Sequence, residues 1–200
     1  MLSGLEACAD PSGLKLIVAP SAQMAVALKT AAARVGRSLV NVEAVSVAGL
    51  ALHVWRAMQP WQAARLVSSW QLEVVLASAL RTTSNPEGRL FSSSLSTLVQ
   101  SIQADRLAGR DASWAAKRQR NPSQEVYAEL FGAYEHYLNG TGRLDMADVH
   151  RVAVEQVEEF CEARHLEGLV VCRNVQLLPA QKDLLVGLSN GARVSILLGD

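Results

Sequence analysis

Cysteine is scarce, and its few positions are far apart. Cys8, Cys161 and Cys172 are the three in the chain. An odd number with no close spacing excludes a disulfide framework and a cysteine-based zinc site, and is expected of free thiols in a reducing compartment. No apolar run approaches the ~20 residues a membrane span needs. The N-terminus lacks a basic segment followed by a long apolar one, so no signal peptide is expected and the cytoplasm is the expected compartment. Excess charge of either sign is also missing: Lys plus Arg and Asp plus Glu are 19 each. That excludes a strongly basic nucleic-acid binder, whose affinity comes from neutralised phosphates, but leaves room for a local basic groove. His53, His136, His150 and His165 are scattered without metal-ligand spacing and read as surface or packing residues. Nothing fits the phosphate-loop pattern G-x-x-x-x-G-K-[ST]. The nearest fragment, Gly13-Leu14-Lys15, leads into a strand rather than a helix. Without such a loop no backbone amides cradle phosphates and no lysine neutralises them. There is no internal repeat and no low-complexity tract.

What is present is apolar and periodic. Hydrophobic residues make up 50% of the 200 positions, ample for one α/β domain or for one domain with an insertion. Residues 1–13 carry Gly4, Pro11, Ser12 and Gly13 and read as loosely ordered. Leu14 to Ala19 reads as a buried strand, and Ser21 after it as the cap of a helix from Ala22 to Val35 that Gly36 ends. Met24, Leu28 and Ala31 are placed on the apolar face of that helix. Asn41 to Val47 is the next strand, and Ala48 to Met58 a helix. Residues 59–145 read as helical. Gln62 to Leu80 carries Leu66, Trp70, Val74 and Leu80 at helical spacing, and Asn85-Pro86 and Gly88 break the chain after it. Ser92 to Leu107 sets Leu95, Leu98, Val99, Ile102 and Arg106 on one face. Gly109 to Pro122 is a polar connection, and Gln124 to Leu138 is helical until Asn139-Gly140. Asp145 reads as a helix cap and Asp148 as an acid in that helix's positive first turn, the helix running on through Val149, Val152, Val157 and Phe160. The closing stretch is a strand at Leu169–Val171, a helix opened by Pro179 with Leu184, Leu185 and Leu188 on one face, a stop at Asn190-Gly191, and a strand from Val194 to Leu198. A strand, a crossover helix and a parallel strand make one α/β unit.

Three groups of residues resemble the UvrD-like superfamily-1 DNA helicases. In the last stretch, Val171, Pro179, Ala180, Gln181 and Gly199-Asp200 match motifs II and III of that family in order and spacing. The catalytic letters differ: the magnesium-holding Asp is Cys172, the water-activating Glu is Arg173, and the following Gln and Asp are Val175 and Gln176. Val18-Ala19-Pro20-Ser21-Ala22-Gln23-Met24-Ala25 is similar to motif Ia, and Val45-Ser46-Val47-Ala48-Gly49-Leu50 to the strand entering Thr-Phe-His-Ser-Leu. The Val-x-Pro-Ser form is closer to the AddB-type helicase–nuclease subunits. Leu144-Asp145-Met146-Ala147-Asp148-Val149 resembles the Leu-Asp-Phe-x-Asp-Leu that opens the helix before motif II. The resemblance implies a parallel-sheet, P-loop-NTPase-like α/β core (1A-like) from residues 1–58 and 146–200, with 59–145 as an inserted helical subdomain (1B-like). It implies a helicase-like domain of a double-strand-break repair helicase–nuclease that has lost nucleotide chemistry, binds no ATP cofactor, and works as a scaffold beside a partner subunit. The chain stops where the family's domain continues, so a longer parent protein is expected.

Each candidate site has a plainer alternative. In the family the segments matching Ser21 and Ser46 touch single-stranded DNA; both residues also suit a cap and a turn. Trp114 followed by Lys117-Arg118-Gln119-Arg120 is the densest basic run, suited to a phosphate backbone with a base stacked on the indole, or to a solvated loop. Cys172 beside Arg173 reads as a nucleophile or, more plainly, as a structural thiol. Asp145 and Asp148 read as paired acids or as capping groups. Two further readings stay open for the whole chain: a protein-interaction domain that kept the helicase fold without DNA, and an unrelated small α/β enzyme.

Overall fold

The computed structural model describes residues 12–34, 41–83, 85, 87–172 and 177–198. The chain divides into two compact units: Met1–Pro60 with His150–Asp200, and Trp61–Val149.

The first unit is α/β. Its strands are β1 (Leu14–Ala19), β2 (Val42–Ser46), β3 (Leu166–Cys172) and β4 (Val194–Leu198), in a four-stranded sheet of order β2-β1-β3-β4. Every pairing is parallel. β1 is buried along its whole length, which suits its unbroken apolar run and its interior place in the sheet. Helix α1 (Ala22–Arg34) links β1 to β2, and α2 (Val47–Met58) follows β2 directly. Adjacent residues of a strand face opposite ways. Ile17 and Val170 therefore share one sheet face, where Leu28 of α1, Val42 and Ala44 pack on them. Glu43 faces the other way and meets His53 of α2.

The second unit is helical. A 3₁₀ turn (Pro60–Arg65) enters it. Then come α3 (Ser69–Thr82), α4 (Gly88–Ser92), α5 (Leu95–Leu107), α6 (Ala112–Ala116) and α7 (Pro122–Thr141), and the unit ends within α8 (Met146–Glu155). Helix α9 (Val157–Ala163) and the Pro179–Gly191 helix, α10, complete the first unit. The helical core gathers Leu72 and Leu76 of α3, Leu98, Val99 and Ile102 of α5, and Val126, Leu130, Phe131, Tyr134 and Leu138 of α7.

Several sequence expectations need correction. The Gln62–Leu80 helix begins only at Ser69, because Gln71 Oε1 accepts from the Ser68 backbone N–H at 3.0 Å and fixes the start there. Trp70 and Val74 are on its outer face, 65% and 58% exposed, because Leu72 and Leu76 pack into the helical core. In α1, Ala25 is buried and Met24 is 48% exposed. Gly109 to Pro122 is not all connection: Asp111 caps the short helix α6. Helix α7 runs past Asn139-Gly140 to a left-handed Gly142, where φ of 62° suits glycine. The helix opened by Asp145 breaks at Gln156 into α8 and α9. Gly36, Pro86, Cys8 and most of residues 1–13 lie outside the described residues. Among the described residues, no helix is long and apolar enough to cross a membrane.

Candidate functional site

In the α/β unit, the sites implied by sequence fall on the carboxyl edge of the sheet. Ala19 at the end of β1 is in register with Ser46 at the end of β2. On the other side of β1, Val18 is in register with Val171, one residue before Cys172. The β1–α1–β2 connection steps to one side, and the β3–α10–β4 connection steps to the other. The adjacent strands β1 and β3 thus flank a topological switch point, where open α/β sheets leave a ligand crevice.

The side chains at this edge have local roles. Ser21 Oγ accepts from the Met24 N–H at 3.2 Å and caps α1. Ser46 Oγ accepts from the Gly49 N–H at 3.1 Å and caps α2. Gln181 is buried, and its Oε1 accepts from the Leu178 N–H at 3.0 Å at the start of α10. Cys172 is half-buried, and burial pushes its thiol pKa up, the wrong direction for a thiolate nucleophile. Arg173, Val175, Gln176 and Gly199-Asp200 lie outside the described residues. The chain passes from β1 to α1 through Pro20-Ser21 alone, with no glycine and no lysine in the turn. Among the described residues no group of three or more His, Cys, Asp or Glu side chains is arranged to hold a metal ion.

A second arrangement in this unit, one the sequence did not reveal, joins β2, α2 and α9. The Glu43 carboxylate lies 2.9 Å from His53 Nε2 and 2.7 Å from Arg164. The imidazole also meets Phe160 edge-on, centroids 5.8 Å apart. Burial, the largest influence, holds His53 below the usual imidazole range; Glu43 opposes this and Arg164 adds to it. On acidification the unfolded chain therefore takes up this proton before the folded one. The stabilising effect is complete above the ordinary imidazole pKa of 6.5 and is lost as pH falls through it toward the lower folded value. His53→Gln is expected to flatten the loss of stability between about pH 7 and about pH 5, where imidazoles titrate. Denaturant melts of both proteins across that range check this, and parallel curves would refute it.

In the helical unit, two arginines that flank Trp114 in sequence both lie over its ring. The Arg110 guanidinium carbon lies 4.4 Å from the indole centroid and that of Arg118 lies 4.7 Å from it. Asp111 Oδ1 accepts from the Trp114 N–H at 2.7 Å, and the ring packs on the helical core. Arg110 is itself paired with Asp105 at 2.7 Å, and Tyr127 donates to the same carboxylate at 2.7 Å. Lys117, Arg118 and Arg120 are exposed. Guanidinium groups already contact the indole, so a base stacked there would compete with them. Arg110 was missed from the sequence because residues 109–122 read as a connection; both arginines lie outside the five-residue helix α6, so no helical spacing signalled the stack.

Also missed was a buried polar network. Arg106 Nε lies 3.1 Å from Asp145 Oδ2, a second nitrogen 2.8 Å from Asp148 Oδ1, and the third 3.6 Å from Glu135. Tyr134 donates to Asp145 at 2.8 Å. Asp145 Oδ1 accepts from the Ala147 and Asp148 N–H groups, and Asp148 Oδ2 accepts from the Asp145 N–H at 3.2 Å. The capping reading of both aspartates holds, in reciprocal form. Burial raises the Asp145 pKa, with Arg106 pulling it down. A cation on the otherwise apolar face of α5 was the available signal.

The chain matches no protein-family model and no curated protein sequence.

Proposed function

We propose that this chain is a catalytically inactive helicase-like domain of a double-strand-break repair and recombination helicase–nuclease, acting as a scaffold for a partner subunit and a passive surface for single-stranded DNA. The observation that carries the reading is the placement of Cys172. It ends β3 beside β1 at a switch point between crossovers that run apart. In UvrD-like helicases the position it resembles holds magnesium through a hard carboxylate oxygen, and a thiol is a poor substitute for that cation.

The test has two parts. Labelled ATP with magnesium is expected to show no saturable binding to the wild type. A Cys172→Asp/Arg173→Glu variant is expected to show no turnover above background, because phosphoryl transfer needs a cradle as well as a metal ligand. Saturable binding or turnover would overturn the loss of nucleotide chemistry. Single-stranded DNA is expected to bind weakly at low salt and less at high salt, since local cations on a neutral chain supply the affinity. Affinity independent of salt contradicts that mode. A protein-interaction domain without DNA binding is the second reading, favoured by exposed Trp61, Trp70 and Val74 on the helical unit. No binding to single strands at low salt selects it.

A further inference from the structure

We infer that Arg118, stacked on Trp114, is a pre-organised fork for the phosphate backbone of a single nucleic-acid strand, and that Asp105 and Arg110 are positioning residues that hold this stack without touching the strand. The inference rests on the strand-binding reading above and names the residues and chemistry that carry it.

Charge is segregated here although the chain as a whole is neutral. Residues 109–122 carry Arg110, Lys117, Arg118 and Arg120 against the single carboxylate Asp111. The two arginines on the indole differ. Arg110 is neutralised by Asp105 at 2.7 Å, and Tyr127 fixes that carboxylate from α7 at 2.7 Å. Among the described residues no carboxylate pairs with Arg118, which is exposed 4.7 Å from the ring centroid. The platform under it is fixed by the Asp111 cap and by packing on the helical core. A guanidinium presents a planar set of donors that matches two phosphate oxygens, and stacking it on a ring removes freedom that binding would otherwise have to remove. Lys117 and Arg120, both exposed, add further positive charge next to it in sequence. The indole's role is then to seat the arginine, which replaces the base-stacking expectation for Trp114.

The roles separate in the salt dependence of binding. For a single strand, each phosphate neutralised contributes roughly 0.7 to the slope of log affinity against log salt. Fluorescein-labelled oligo-dT, titrated with the full chain by anisotropy at several salt concentrations, reads both slope and affinity. Arg118→Ala is expected to reduce the slope by about 0.7, the share of one phosphate contact. Arg118→Lys keeps the charge and the slope, but is expected to bind about two- to five-fold more weakly, because an ammonium lacks the planar fork that stacks on the ring and meets two phosphate oxygens. Arg110→Ala and Trp114→Ala are expected to weaken binding with the slope unchanged, since neither removes a phosphate contact. Oligo-dA is expected to bind like oligo-dT, because the backbone is read. Thermal melts of each variant confirm folding, and Arg118→Lys, a surface change, keeps the test open should Trp114→Ala unfold. Wild-type affinity in Arg118→Lys and Trp114→Ala, a slope that falls in Arg110→Ala, or strong preference for one base overturns the fork while leaving strand binding in place. No wild-type binding at low salt overturns both.

Discussion

Arg106→Ala is expected to destabilise the helical unit by about 3–5 kcal/mol, the range seen when one partner of a buried ion pair is removed. Arg106 is 14% exposed at its side chain, while the Asp145 and Asp148 side chains are 0% and 9% exposed. Truncation leaves these carboxylates, and Glu135 beside them, without their shared cation. The penalty is desolvation of unpaired charge, rather than the net value of the pairs. Two consequences distinguish this from simple loss of packing. First, adding Asp145→Asn to Arg106→Ala should cost less than the separate effects combined, with a coupling of about 0.5–3 kcal/mol, because the stranded charge is gone. Second, the defect should shrink in mild acid. Burial already raises the Asp145 pKa, and loss of the opposing guanidinium raises it further. A raised folded pKa favours the protonated form in the fold, so the variant regains stability as pH falls and loses it as pH rises through that value. Urea melts at neutral and acidic pH provide the measurement. A variant within about 0.5 kcal/mol of wild type, the ordinary range for a surface change, would show that the network does not stabilise the helical unit.

Gly187→Ala should destabilise the α/β unit despite alanine's better helix propensity. Gly187 lies in the interior of α10, where exchange for alanine normally gains about 0.5–1 kcal/mol. Here a Cβ would come 2.5 Å from Val157 Cγ1 and 3.2 Å from Cγ2. Val157 begins α9, is buried, and is β-branched, so its χ1 is restricted and it cannot swing away cheaply. Overpacking of this kind costs about 1–3 kcal/mol, which outweighs the propensity gain. The net expectation is a loss on the order of 1–2 kcal/mol, the difference between those two effects. Val157→Ala removes the obstruction, so Gly187→Ala should be less harmful in that background than alone. Equal effects in both backgrounds would mean that the helices separate without cost and that the contact does not fix α10. Gly191 meets Cys161 on the same pair of helices, its Cβ position 2.5 Å from Sγ, so the close approach spans more than one turn. Burial and the neighbouring Glu158 and Glu162 push the Cys161 thiol up to about 11, which fits a packing role.

Local chemistry was legible wherever a residue's neighbours in sequence set its role. Strands β1 and β4 have the bounds their apolar runs suggest, and Ser21, Asp145 and Pro179 open helices as their residue types dictate. Ser46, which by residue type suits a cap, a turn or a DNA contact, caps α2. The inward face of α3 was not legible. Leu66, Trp70 and Val74 share the i, i+4 spacing of Leu72 and Leu76, and periodicity alone does not choose between two such stripes. The choice was made by packing on α5 and α7, and by the Ser68–Gln71 cap, which starts the helix too late to include Leu66.

The sequence by itself determined the period of each element, most of its caps, the alternation that gives a parallel sheet, and the lack of a phosphate-loop pattern. These follow from interactions within a few residues, which are the same in any fold. The tertiary structure alone decided which charges meet. Arg106 reaches Asp148 across 42 positions, and Arg164 reaches Glu43 across 121. Such partners are selected by burial: once an apolar face closes over a charged group, that group must find its counter-charge among whatever other elements the fold brings to the same place.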